Sequence, residues 1–168
     1  MDEIYGYHNI PNFDEGDIRT CEGAIFAAES KVTIKVKGQG GHGSAPHKLK
    51  DPITALSMIH TALHSIKSRN IDSRRNIVFT ICTISSGHTY NVFPDEAVMT
   101  GSIRSYDKDS LKTMKERIHS LIDGIAEGFM CTAEVEIEDE YNPVINHKEQ
   151  TNHVIRLAKT HFGEEHFS

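Results

Sequence analysis

From residue 30 onward the chain switches between two hydrophobic periods. Val32, Ile34 and Val36 alternate with Lys31, Thr33, Lys35 and Lys37, which predicts a strand with one wet face. Ile53, Leu56, Ile59, Leu63 and Ile66 then recur at helical spacing, with Pro52 in the first turn and Asp51 placed to cap it. A β-rich run at 76–84 ends at Ser85-Ser86-Gly87, and a second strand follows at 97–106 after a turn at Asn91-Val92-Phe93-Pro94-Asp95. Leu111, Met114, Ile118, Leu121, Ile122, Ile125 and Phe129 predict another helix. Ala133, Val135 and Ile137, alternating with glutamates, predict a last strand.

The order between about 30 and 139 is therefore βαββαβ. It predicts an α+β fold: a ferredoxin-like sandwich with a four-stranded antiparallel sheet and two helices on one face. The ends read differently. Gly6, Pro11, Gly16 and Gly23 interrupt the first 25 residues. After the turn at Tyr141-Asn142-Pro143, a helix at 149–162 carries a short stripe of Val154, Ile155, Leu157, Ala158 and Phe162. Neither terminal segment buries a core alone, so both read as pieces of another domain.

Composition narrows the classes. The 168 residues are 38% hydrophobic and 25% charged, ordinary for a globular protein. A net charge of −6 with dispersed Lys and Arg argues against a nucleic-acid partner. There is no apolar run of roughly 18 residues, which argues against a membrane span. Met1-Asp2-Glu3 is unlike a secretory signal, and Cys21, Cys82 and Cys131 form neither a CxxC pair nor a disulfide framework. The expectation is a reducing, cytoplasmic setting.

Four places carry candidate chemistry. The stretch Gly38-Gln39-Gly40-Gly41-His42-Gly43-Ser44-Ala45-Pro46-His47 delivers an imidazole on a glycine-dense loop after a strand, where glycine permits close approach of backbone to a ligand. A mobile connector with an incidental His is the competing reading. His8, in Gly6-Tyr7-His8-Asn9-Ile10-Pro11, is a candidate metal ligand but needs partners. Asn91 offers an amide donor and acceptor between two strands, or else serves its own turn. Arg104, on a strand face shared with Val98, Thr100 and Ser102, suits a carboxylate, or pairs with a neighbouring acid. His60 and His64 lie four apart on a helix without the Glu of an HExxH motif, and read as a solvated or interface face. Glu134, Glu136, Glu138, Asp139 and Glu140 read as a solubilising surface.

In this order and spacing the motifs resemble the binuclear-metal peptidase and amidohydrolase family of aminoacylase, acetylornithine deacetylase, succinyl-diaminopimelate desuccinylase and carboxypeptidase G. The branch they resemble is that of hippurate hydrolase and the indole-acetyl amino acid amidohydrolases. Beyond the stretches already quoted, the resemblance runs through Gly23-Ala24-Ile25-Phe26-Ala27-Ala28, Asp51-Pro52-Ile53, Ser68-Arg69, Gly87-His88-Thr89-Tyr90-Asn91-Val92-Phe93-Pro94, Gly101-Ser102-Ile103-Arg104 and Tyr141-Asn142-Pro143-Val144-Ile145-Asn146. It implies that 29–139 is a lid, which is also the dimerisation domain. Residues 1–28 would be a fragment of a metal-binding catalytic domain, and 140–168 the start of the return into it. It further implies that His8 matches a metal ligand. His42 would reach into the partner subunit's active site to stabilise an oxyanion, while Asn91 and Arg104 hold the substrate's carboxylate. The substrates would be N-acyl amino acids or short peptides. The cofactor would be two divalent ions (zinc, manganese or cobalt), polarising the amide carbonyl and generating hydroxide.

The chain lacks the family's Cys-Gly-His-Asp-x-His motif, its Glu-Glu pair and its final ligand His. The expectation is that this chain alone holds no metal and hydrolyses nothing. A competing reading is a standalone homodimerisation or binding module, pairing through the strand at 76–84 and the helix from Pro52.

Overall fold

A computed structural model describes residues 3–167. Its elements run β1 (Gly23–Phe26), β2 (Ala28–Lys37), β3 (Gly41–His42), α1 (Pro52–Leu63), α2 (Ser65–Asn70), β4 (Ile77–Ser86), β5 (Val92–Phe93), β6 (Glu96–Ser105), α3 (Lys108–Gly128), β7 (Thr132–Tyr141), β8 (Val144–Asn146) and α4 (Lys148–Phe162). Two compact units result. Phe26–Val144 is one, and the segments up to Ile25 and from Ile145 make the other.

In the larger unit, four strands form an antiparallel sheet in the order β4-β6-β2-β7, which is the ferredoxin-like arrangement. Alternation sorts the faces. Val32, Ile34 and Val36 of β2 and Ala97, Met99 and Ile103 of β6 are buried beneath the helices. Ala55, Leu56, Ile59, Leu63 and Ile66 from α1 and α2, with Met114, Ile118, Ile122 and Ala126 from α3, complete one core. The helical stripe starting at Pro52 is not one helix, because α1 ends at Leu63 and a second short helix begins at Ser65.

Capping explains where the helices start. Asp51 Oδ1 accepts the N–H groups of Ile53 and Thr54 at 2.9 and 3.1 Å, and Asp107 Oδ1 accepts that of Ser110 at 2.9 Å. α3 stops at Phe129, followed by Met130 with φ of 59°.

The wet face carries an ionic ladder. Lys31 pairs with Glu138 at 2.7 Å, Lys37 with Glu134, and Lys35 with Glu96 at 3.6 Å. The glutamates of β7 thus meet lysines of β2 besides water. The two sheet edges differ in character. β7 carries five acids, whereas β4 (Ile-Val-Phe-Thr-Ile-Cys-Thr-Ile-Ser-Ser) carries no charge.

In the smaller unit, β1 pairs with β8, and Asn146 Nδ2 donates to Cys21 O at 3.0 Å. Thr151 and Ala158 of α4 are buried there. Among the described residues no helix is long and apolar enough to cross a membrane.

Candidate functional site

Two polar constellations occupy opposite ends of the sheet, and both are set by strand register. The first lies beyond the end where Lys37 faces Glu96. There the glycine loop and the segment after β4 form a short ladder, β3 with β5, pairing Gly41 with Phe93 and His42 with Val92. Gly43 N–H donates to Asn91 O at 2.8 Å, and Gly38 N–H donates to Asp95 O at 2.8 Å. Gly40 N–H donates to the Asp95 carboxylate at 2.9 Å, while Gln39 and Lys50 exchange backbone bonds at 2.9 and 3.1 Å. This loop is stitched on both sides, so it is no mobile connector.

The stitching accounts for the glycines. A Cβ on Gly40 would lie 2.4 Å from Phe93 O, and one on Gly38 would lie 2.2 Å from Lys50 O. Sequence reading attributes the glycines to close approach of a ligand. The close neighbour here is the chain itself.

His42 is exposed at the tip. Ser44 N–H donates to its Nδ1 at 3.2 Å, and Ser44 Oγ lies 2.8 Å from the same atom. A backbone N–H only donates, so Nδ1 is the acceptor and the neutral ring carries its hydrogen on Nε2. The outward nitrogen is therefore a donor. Asn91 is also exposed, and its Oδ1 accepts from Thr89 Oγ1 at 3.2 Å.

The second constellation sits eight residues along β6 at the other end, where Arg104 faces Glu29. As expected from alternation, Arg104 shares the wet face with Val98, Thr100 and Ser102. Its Nη2 donates to Glu29 Oε1 at 2.6 Å and its Nη1 to Tyr141 Oη at 2.8 Å. Tyr141 Oη in turn donates to Glu29 Oε2 at 2.6 Å, closing a ring across β6, β2 and β7. Arg104 thus pairs with a neighbouring acid, the competing reading of its role, yet remains 46% exposed in its side chain. Eight residues at the antiparallel rise of about 3.4 Å put roughly 27 Å between the two ends. The fold brings His42 and Asn91 together and leaves Arg104 apart from them.

Sequence reading missed Ser44, which orients His42, and Glu29, which engages Arg104. The first was legible as a hydroxyl two residues after the His. The second follows from equal-length antiparallel strands once their register is known.

His8 belongs to the smaller unit, where its Nδ1 lies 2.9 Å from Asn9 O. Among the described residues, no three His, Cys, Asp or Glu side chains converge as metal ligands. Among the described residues, then, no side chains make up a dinuclear metal centre.

Residues 30–129 match the family model for the peptidase dimerisation domain of M20 peptidases. The chain is similar to an N-acetyldiaminopimelate deacetylase of Geobacillus sp. strain WCH70, 38% identical over 162 residues that make up 96% of this chain and 43% of the relative. It is also 36% identical to the hippurate hydrolase of Campylobacter jejuni over 168 residues, 98% of this chain and 43% of that protein. Among solved structures it superposes on the Bacillus subtilis YXEP protein, a dinuclear metal-binding M20 peptidase, with a TM-score of 0.70 and 26% identity. That match covers 91% of this chain and 37% of the other. The chain thus spans less than half the length of the curated relatives it matches.

Proposed function

Since the chain belongs to the M20 peptidase dimerisation-domain family, we propose that it is the dimerising lid of an amidohydrolase acting on N-acyl amino acids or short peptides. In this reading the lid pairs with a second copy along β4. Each composite site takes His42 and Asn91 from one chain and Arg104 from the other.

The observation that carries the reading is the separation of the two constellations. A single N-acyl amino acid is far shorter than the roughly 27 Å between the sheet ends. One chain therefore does not bring His42 and Arg104 to the same substrate, whereas a two-fold pairing sets one end of each lid beside the opposite end of its partner. The edges support which strand pairs. Five acids guard β7, while β4 is a free, uncharged edge with exposed Val78 and Ile84.

Each residue then has a stated task. The Nε2–H of His42 donates to the oxyanion that develops on the scissile carbonyl, a contact that contributes a few kcal/mol to the transition state. Arg104 grips the carboxylate with its fork, in exchange for Glu29. Asn91 offers its amide nearby.

Sedimentation equilibrium of the wild type and of Ile84→Lys tests the pairing. The reading expects a dimer for the wild type and at least tenfold weaker association for the lysine variant, since edge lysines oppose strand addition. A wild type that stays monomeric at all concentrations contradicts it.

A further inference from the structure

At the C-terminal end of α1, His60 and the capping residue His64 lie four positions apart, and their Nε2 atoms approach to 3.3 Å. The rings meet edge to face with centroids 4.8 Å apart, and His64 packs obliquely on Phe79 at 6.0 Å. Zinc binds imidazole nitrogen at about 2.0–2.1 Å, so two nitrogens on one tetrahedral ion lie about 3.3–3.4 Å apart. The spacing already present is that of a chelate.

The scaffold is fixed. His60 lies in the last turn of α1, which buries Ile59 and Leu63, and His64 is the C-cap with helical backbone angles (φ −65°, ψ −15°), so the two stems keep their separation. In the single chain His60 is half-buried and His64 exposed. We propose that His60 and His64 form a bidentate site for a borderline divalent ion, zinc, nickel or copper, for which imidazole is a suitable ligand.

Binding needs no change of backbone. The two rings now share one Nε2–H, with one ring donating and the other accepting. On binding, the donor ring moves its hydrogen to Nδ1, so both Nε2 lone pairs face the ion and both rings stay neutral. Water fills the remaining coordination positions, because no third protein ligand converges there among the described residues.

The test is calorimetric titration of zinc chloride into the chain near pH 7.5, where free imidazole is mostly neutral. The wild type is compared with His60→Gln, His64→Gln and, as a control, His119→Gln on α3. The proposal expects one ion per chain, at least tenfold weaker binding in either the His60 or the His64 variant, and no change in the control. A second readout covers poor folding of a variant: saturating zinc raises the melting temperature of the wild type, and not that of His64→Asn. Equal binding by the wild type and by both the His60 and His64 variants, or no binding by the wild type below millimolar zinc, overturns it.

Discussion

Ser44 directs its backbone N–H at His42 Nδ1 across 3.2 Å, which fixes the nitrogen His42 presents to its surroundings. Nitrogen-15 NMR of the imidazoles should therefore show His42 as the Nε2–H tautomer at neutral pH. Ser44→Ala keeps the N–H and loses only the hydroxyl, so the same tautomer should persist with a looser ring. A wild-type ring protonated on Nδ1 would remove His42 as an outward donor.

The Glu29–Arg104–Tyr141 ring ties three strands together. Tyr141→Phe removes the group that accepts from Arg104 and donates to Glu29. Because the site is solvent-accessible, the expected loss is about 1 kcal/mol in urea denaturation. A double-mutant cycle with Glu29→Ala should give a coupling of about 0.5 kcal/mol or more. Strict additivity would mean that the three groups hold no common network.

Stability should decline in acid for a nameable reason. Hydrogen bonds from the Lys115 ammonium and the Ser30 hydroxyl hold the Asp139 carboxyl below its usual range, and the Ser110 N–H does the same for Asp107. A carboxylate depressed in the folded state stabilises the fold above its unfolded pKa, and that contribution is lost as pH falls through the folded value. Unfolding free energy should therefore drop as pH falls below about 4. Asp139→Asn should flatten part of that slope, and Asp107→Ala should cost about 1 kcal/mol at neutral pH through the lost cap. Asp72, held to about 2 by Arg74, is exposed and should contribute little. A slope unchanged in both variants would assign the acid sensitivity elsewhere.

Met130 adopts φ of 59° just after α3 and is 67% exposed, so its side chain gives up little contact if removed. Glycine carries no Cβ penalty in that conformation. Met130→Gly should raise stability by about 1 kcal/mol in chemical denaturation, and a destabilised variant would show that the side chain packs against something essential.

Much of the larger unit was legible because its elements satisfy local and global rules together. Val32, Ile34 and Val36 both alternate and sit in the core, and Asp51-Pro52 both caps and starts a helix. Short elements escaped. Gly41–His42 and Val92–Phe93 are too brief to show a period, so Asn91 to Asp95 read as a turn, although it is half of the ladder that holds His42. The break at His64 escaped because Leu63 and Ile66 keep the helical spacing across it. The sequence singles out His42, Asn91 and Arg104 as candidates, but not their grouping. Which of them are neighbours depends on register, and register is a tertiary property.

The separation of His42 from Arg104 allows a direct test of the proposed composite site. The chain can replace its counterpart in the Campylobacter jejuni hippurate hydrolase, where it matches 43% of the length. His42→Ala and Arg104→Ala versions should each be inactive on N-acyl amino acids. When the two are unfolded and refolded together, half of the dimers are mixed, and each mixed dimer holds one whole site. Activity should then return to about a quarter of the unmutated chimera. No recovery on mixing, with dimers present, would contradict a site shared between chains.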